Sequence, residues 1–230
     1  MRRKLARRSD TVTLENSELL FAVWMVPAAY LLGSIPAAVW TGKIFHGIDV
    51  REHGSGNAGA TNVMRVLGVR TGVPVLLFDI FKGWAAVSLI TLQKSIPQNG
   101  DVAMIMSIIL GICAVTGHVF PLFAGFRGGK GVATIAGVCI GLHPLATICA
   151  LATFILVLLI WKFVSLGSIV AGLSFPVWVI FVFDSPFRSL WIFSLLAAVL
   201  LLITHRKNIR RLLRGEEGKA GFLFRNRKPD

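Results

Sequence analysis

Apolar runs of membrane length follow one another along most of this chain, parted by short polar loops rich in glycine. The pattern predicts helical segments over 19–41, 72–93, 102–123, 132–143, 145–161, 165–183 and 187–204. A crossing helix takes about 20 residues. The run 132–160 is therefore either one over-long helix or two short ones parted at His143-Pro144. Proline lacks an amide donor and turns the residue before it away from helix, which favours the break.

The two cases place the charged loops differently. With the break there are seven segments, and regions 42–71, 124–131 and 162–164 share one side with the chain from His205 onward. Two thirds of the 24 Lys and Arg residues then lie on that side, which the positive-inside rule makes cytoplasmic. Without the break, the cationic tail joins Lys94 and the N-terminal arm, and the two glycine loops are left on the side poorer in cations. With the break, Arg2, Arg3, Lys4, Arg7 and Arg8 fall on the side opposite the tail and run against the rule. The expectation is an all-α integral membrane protein of about seven transmembrane helices, with cytoplasmic glycine-rich loops.

Composition narrows this further. Of the 230 residues, 55% are hydrophobic and only 15% charged, against about a quarter charged in ordinary globular domains. Recurring apolar runs exclude a lone signal peptide as their source. The net charge of +13 does not point to nucleic acid, because the cations cluster beside apolar segments. There they set orientation and meet anionic membrane lipids. Cys113, Cys139 and Cys149 lie in apolar runs without metal-ligand or CxxC spacing, so neither a metal nor a cofactor is expected. No internal repeat is visible. One membrane domain over 19–215 sits between a basic arm, 1–18, and a basic tail, 216–230.

Two loops stand out against this background. The first reads Gly54-Ser-Gly-Asn-Ala-Gly-Ala-Thr-Asn-Val-Met-Arg65, and the second Gly125-Phe-Arg-Gly-Gly-Lys-Gly131. Glycine lets backbone amides approach an anion, and a helix starting just after adds its dipole. The first loop contains G-x-G-x-x-G, at Gly54, Gly56 and Gly59, but the flanking helical spans exclude a dinucleotide fold. Ser55, Asn57, Thr61, Asn62 and Arg65 make it either a polar binding loop or a capped turn entering a helix. The second loop is no Walker A motif, since Ala124 and Gly131 stand where glycine and Ser/Thr are needed. Gly128, Gly129, Lys130 and Gly131 still frame an anion cradle, or else a basic loop that only sets topology.

Other polar residues flank these loops. Asp79 and Lys82 share a helix face inside an apolar span, either neutralising each other or walling a polar site. His205 and Asn208 share a face at the end of the last span, among Arg206, Lys207, Arg210, Arg211 and Arg214. Ser165 and Ser168 begin the sixth span. His118 closes the third, where packing is the commoner role for a lone histidine. No His-x4-Asp acyltransferase signature and no Gly-x-Ser-x-Gly elbow occurs. A transporter for a phosphorylated metabolite uses the same kind of loops, although the missing repeat weakens that reading.

Taken in order, several motifs resemble those of the bacterial membrane acyl-phosphate:glycerol-3-phosphate acyltransferases of the PlsY type. They are Gly33-Ser-Ile-Pro36, Gly54-Ser-Gly-Asn-Ala-Gly-Ala-Thr-Asn62, Asp79-Ile-Phe-Lys-Gly83 and Gly117-His-Val-Phe-Pro121. Phe126-Arg-Gly-Gly-Lys-Gly-Val-Ala-Thr134, Val164-Ser-Leu-Gly-Ser168 and His205-Arg-Lys-Asn-Ile209 complete the series. Thr204 departs from the pattern, where a basic residue often precedes the His-Arg pair. The resemblance implies transfer of a fatty acyl group from acyl phosphate to the sn-1 hydroxyl of glycerol 3-phosphate, in the bacterial inner membrane. It implies catalytic roles for Ser55, Asn57, Lys130, His205 and Asn208. Substrate contacts are expected from Gly54, Gly56, Asn62, Arg65, Lys82, Gly128, Gly129, Gly131, Ser165 and Ser168. An acyl phosphate is a mixed anhydride with a good leaving group, so the missing His-x4-Asp signature is consistent with this chemistry. The sequence points to no protein partner.

Overall fold

A computed structural model describes residues 23–93, 96–98 and 100–224. The basic arm and Lys94 lie outside the described residues. The regular structure among the described residues is helical, without strands. The first predicted span is two helices, α1 (Val23–Ser34) and α2 (Ala37–His46), bent by 41° at Ile35-Pro36. A short helix α3 (Ala60–Leu67) leads into α4 (Val69–Ser88), and α5 (Asp101–Val119) follows. Then come α6 (Val132–Leu142) and α7 (Pro144–Trp161), parted at His143 as the proline predicts. His143 accepts the Ala146 amide on Nδ1 at 3.2 Å and so caps α7, with Pro144 at the first helical position. The series ends with α8 (Val164–Val177), α9 (Arg188–Thr204), α10 (Arg206–Leu213) and a final turn α11 (Gly221–Phe224).

Four of these helices are long and apolar enough to cross a membrane, or six if each bent pair makes one span. The α9–α10 pair bends by 61° at His205. The remaining apolar segment, α6, has 11 residues. At 1.5 Å per residue it is about 16 Å long, roughly half the hydrocarbon thickness. It survives inside the bundle because α4 lies directly against it. A Cβ at Gly83 would collide with the Thr134 carbonyl oxygen, and one at Gly137 with that of Ile80. Lipid supplies no hydrophobic force between helices, so such close backbone contact is how they hold together. The larger core forms where α5, α6, α7, α8 and α9 meet around Val138, Phe175, Val179 and Leu190.

Asp79 and Lys82 are both buried in α4 and paired at 2.8 Å. Lys82 also donates to the Ile35 carbonyl at 3.0 Å, at the kink where α1 gives way to α2. The His118 ring approaches the same carboxylate at 3.5 Å. This charged knot joins three helices beneath the two glycine loops.

Candidate active site

A cavity of about 580 Å³ opens between the two loops, α8 and the C-terminal segment. Its wall includes Gly54, Ser55, Asn57, Asn62, Arg65, Lys130, Gly131, Ser165, Ser168, His205 and Asn208. Residues far apart in the chain thus meet around one space. Gly56, Lys82, Gly128 and Gly129 do not line it.

The first loop is shaped by Asn62, which is almost fully buried at the start of α3. Its Nδ2 donates to the carbonyls of Val50 at 2.7 Å and His53 at 3.0 Å. Its Oδ1 accepts from the Ser55 amide at 2.8 Å and the Ser55 hydroxyl at 3.1 Å. The side chain spends its capacity folding the loop back on itself, so its main effect is to hold Ser55. Gly54 takes a φ of 62°, and a Cβ there would collide with Asn62 Oδ1.

The second loop is seated on the end of α5. The Gly128 amide donates to Val119 O at 3.1 Å and the Gly129 amide to His118 O at 3.2 Å. Both amides are therefore turned to the protein rather than to the cavity. Lys130 and Gly131 face the cavity. Gly131, with φ 80°, turns the chain into α6.

Lys130 donates to Asn208 Oδ1 across the cavity. Asn208 Nδ2 donates to Glu217 Oε1 at 2.7 Å, and the Ser165 hydroxyl donates to the same oxygen at 2.7 Å. Arg211 pairs with Glu217 Oε2 at 2.8 Å. Each end of the Asn208 amide thus faces the charge that suits it. Glu217 is the hub of this network. No sequence motif marks it within the basic tail, 216–230, although a carboxylate amid so many cations is a usable signal.

Burial is the largest influence on Lys130 and holds its pKa down to about 8. The Glu217 charge opposes this, while Arg211 and Arg65 add to the lowering. For Glu217, burial pushes upward, but hydrogen bonds from Asn208 and Ser165 and the nearby Arg211 leave the carboxyl below its usual range. His205 is only 2% exposed and sits at about 4, because burial and then the Lys130 charge disfavour its cation. Its Nδ1 lies 3.0 Å from the Leu201 carbonyl, so the neutral ring donates there and leaves Nε2 as an acceptor. Among the described residues, no cluster of three or more His, Cys, Asp or Glu is arranged to hold a metal ion.

A smaller apolar groove adjoins the cavity and shares Val132, Ala136, Leu151, Phe154 and Ser168 with it. It continues past Cys139, Gly172, Phe175 and Leu201, between α6, α7, α8 and α9. Fold and site together define a polytopic helical membrane protein with a cation-lined cavity at one end of the bundle and an apolar groove leading from it.

Comparison with known proteins narrows this class. A family model for glycerol-3-phosphate acyltransferases matches residues 23–215. A glycerol-3-phosphate acyltransferase of Chlorobaculum tepidum is 41% identical over 228 residues, covering 88% of this chain and 97% of the relative. One from Chlorobium phaeobacteroides strain BS1 is 39% identical, with coverage of 86% and 96%. This chain belongs to the glycerol-3-phosphate acyltransferase family. The fold agrees with two crystal structures of PlsY (YgiH), an integral membrane glycerol 3-phosphate acyltransferase. Its glycerol 3-phosphate form matches with a TM-score of 0.76 at 35% identity, over 88% of this chain and 97% of that one. Its lysophosphatidic acid form matches at 0.74 and 34%, over 89% and 99%.

Proposed function

We propose that this protein transfers a fatty acyl group from an acyl phosphate to the sn-1 hydroxyl of glycerol 3-phosphate, at the cytoplasmic face of a bacterial inner membrane. Lysophosphatidic acid and inorganic phosphate are the products. The observation that carries the proposal is a cavity with cations at one end and an apolar groove at the other. An acyl phosphate has an anionic head and a hydrocarbon tail, and such a cavity suits both. Glycerol 3-phosphate needs only the polar end. The names of the relatives support the acceptor, and the two PlsY forms support acceptor and product.

Lys130 and Arg65 neutralise the substrate phosphates, while Asn208 and Glu217 aim Lys130 and Ser165 at the cavity. Asn57 donates to the acyl carbonyl oxygen as negative charge develops on it, and the Ser55 hydroxyl joins it by turning its proton away from Asn62 Oδ1, while the Ser55 amide stays bonded to Asn62. Asn62 keeps Ser55 in place. His205 Nε2 accepts a hydrogen bond from a glycerol hydroxyl and orients it. A ring with a pKa near 4 is too weak a base to keep that proton. The hydroxyl oxygen forms the new bond to the acyl carbon as the bond from that carbon to the phosphate oxygen breaks. The departing phosphate takes the proton. Catalysis then rests on orientation and charge stabilisation, without a protein nucleophile.

The test is purified protein with acyl phosphate and glycerol 3-phosphate. Lysophosphatidic acid and phosphate should form in equal amounts, and phosphate release alone would rule out acyl transfer. Lys130→Met should lower kcat/KM by about 100-fold with the fold intact, the usual scale for one preorganised charge-stabilising group. Near-normal turnover would remove Lys130 from the site.

A further inference from the structure

Arg51 has no part in the reaction scheme, and its side chain does not line the cavity. It nevertheless joins the two loops that do. Its Nε donates to Asp49 Oδ1 at 2.9 Å, and one terminal nitrogen donates to Asp49 Oδ2 at 2.7 Å. This is the paired fork that only a guanidinium makes. Asp49 also accepts the Arg51 amide at 3.0 Å, closing the turn from both directions. The other terminal nitrogen crosses to the second loop, donating to Ala124 O at 2.8 Å and Arg127 O at 3.3 Å.

Those two carbonyls flank a demanding stretch of chain. Gly125 and Phe126 both take left-handed conformations, with φ of 63° and 58°. At Phe126 that conformation is strained, because its Cβ crowds the backbone, so the turn needs outside support. Arg51 stands four residues before Ser55, and Arg127 three before Lys130. The fork is mostly buried, with side-chain exposures of 14% for Arg51 and 12% for Asp49. Hydrogen bonding to Asp49 is the first cause raising the Arg51 pKa, so the charge stays in place.

We propose that Arg51 is a positioning residue for acyl transfer, a clasp that fixes the Ser55 loop relative to the Lys130 loop. The inference rests on the acyl-transfer reading above. Each loop keeps its own anion contacts without the clasp, but the two reactants lose their alignment. A misplacement of about 1 Å costs on the order of 100-fold in rate.

The clasp itself is read without turnover. Spin labels on His53→Cys and Phe123→Cys, with the three native cysteines replaced, report the separation of the loops in the purified full chain. One narrow distance is expected in the parent, and a shifted or broadened one in Arg51→Gln and Arg51→Lys, since lysine cannot form the fork. Lys43→Gln, which removes only an exposed 3.4 Å partner of Asp49, should leave it unchanged. An unaltered distance in both Arg51 variants overturns the clasp.

Kinetics then test its link to the reaction. Arg51→Gln should lower kcat/KM about 100-fold alone, but less than about threefold further in a Lys130→Met background. Full multiplicativity with Lys130→Met would mean that Arg51 supports only the fold, and would overturn the positioning role. Should Arg51→Gln not fold, Asp49→Asn serves as the second variant, with a smaller loss and the same pattern. An inert wild-type protein whose loop distance still responds to Arg51 would refute the acyl-transfer reading and leave the clasp standing.

Discussion

Lys130 is held near the edge of its charged range, and this ties activity and stability to pH in opposite directions. Its pKa of about 8 in the folded protein lies below the ordinary 10.5. Between these values the unfolded chain binds the extra proton, so stability should rise as pH increases from 8 towards 10. The cation needed for phosphate is lost over the same interval, so kcat/KM should fall. Thermal unfolding of the ligand-free protein and steady-state rates read the two trends, and Lys130→Met should flatten the first. His205 has the same sign in a lower window, because its value of about 4 lies below 6.5. The stability this gives is present above pH 6.5 and is lost as pH falls through 4. His205→Gln should shrink that acid loss in an unfolding series. At this scale the sequence exposed most of the cavity-lining residues through their motifs. It did not show that the amide capacity of Asn62 is consumed within its own loop, or that the Gly128 and Gly129 amides are turned to α5. Hydrogen-bond direction depends on backbone geometry, which residue types alone do not fix.

Among the helices, the α4–α6 contact governs where the second loop sits, since Gly131 leads directly into α6. Gly137→Val should force the two backbones apart and destabilise the protein by about 1–3 kcal/mol, seen in thermal unfolding in detergent. The pair beneath the loops gives a second check. Lys82→Met leaves the Asp79 charge buried without its near partner and should cost about 3–5 kcal/mol. Adding Asp79→Asn should recover much of that loss; a double variant no more stable than Lys82→Met would show that the pair contributes little. The break at His143-Pro144 was legible, because proline constrains its own nitrogen and the residue before it. The break at Ile35-Pro36 obeys the same chemistry, yet 19–41 read as one span. Both halves are apolar, so hydropathy carried no mark of the bend, and Pro36 alone did not decide it.

For the molecule as a whole, the short α6 and the longer α7 form a pair that leaves one end of the bundle and returns to it. The Lys130 side chain before the pair touches Asn208, while the Lys162 carbonyl after it accepts the Ala220 amide at 2.7 Å. One over-long helix would have carried those positions to opposite ends. Cysteines placed at exposed Arg127 and Lys219 should therefore react with an impermeant maleimide from the same side. If the site faces the cytoplasm, labelling should occur only after cells are opened. The sequence by itself determined the helical membrane class, the alternation of apolar segments and polar loops, and the motifs that resemble the family. These depend on composition, spacing and the demand that every backbone group in lipid be hydrogen-bonded within the protein. Only the tertiary structure decided that Glu217 anchors the cavity, that Lys82 braces a kink rather than lining the site, and that Arg51 links loops more than 70 residues apart. Those outcomes come from long-range approach of segments, set by glycine-mediated packing and the return of the α6–α7 pair, which no local pattern encodes.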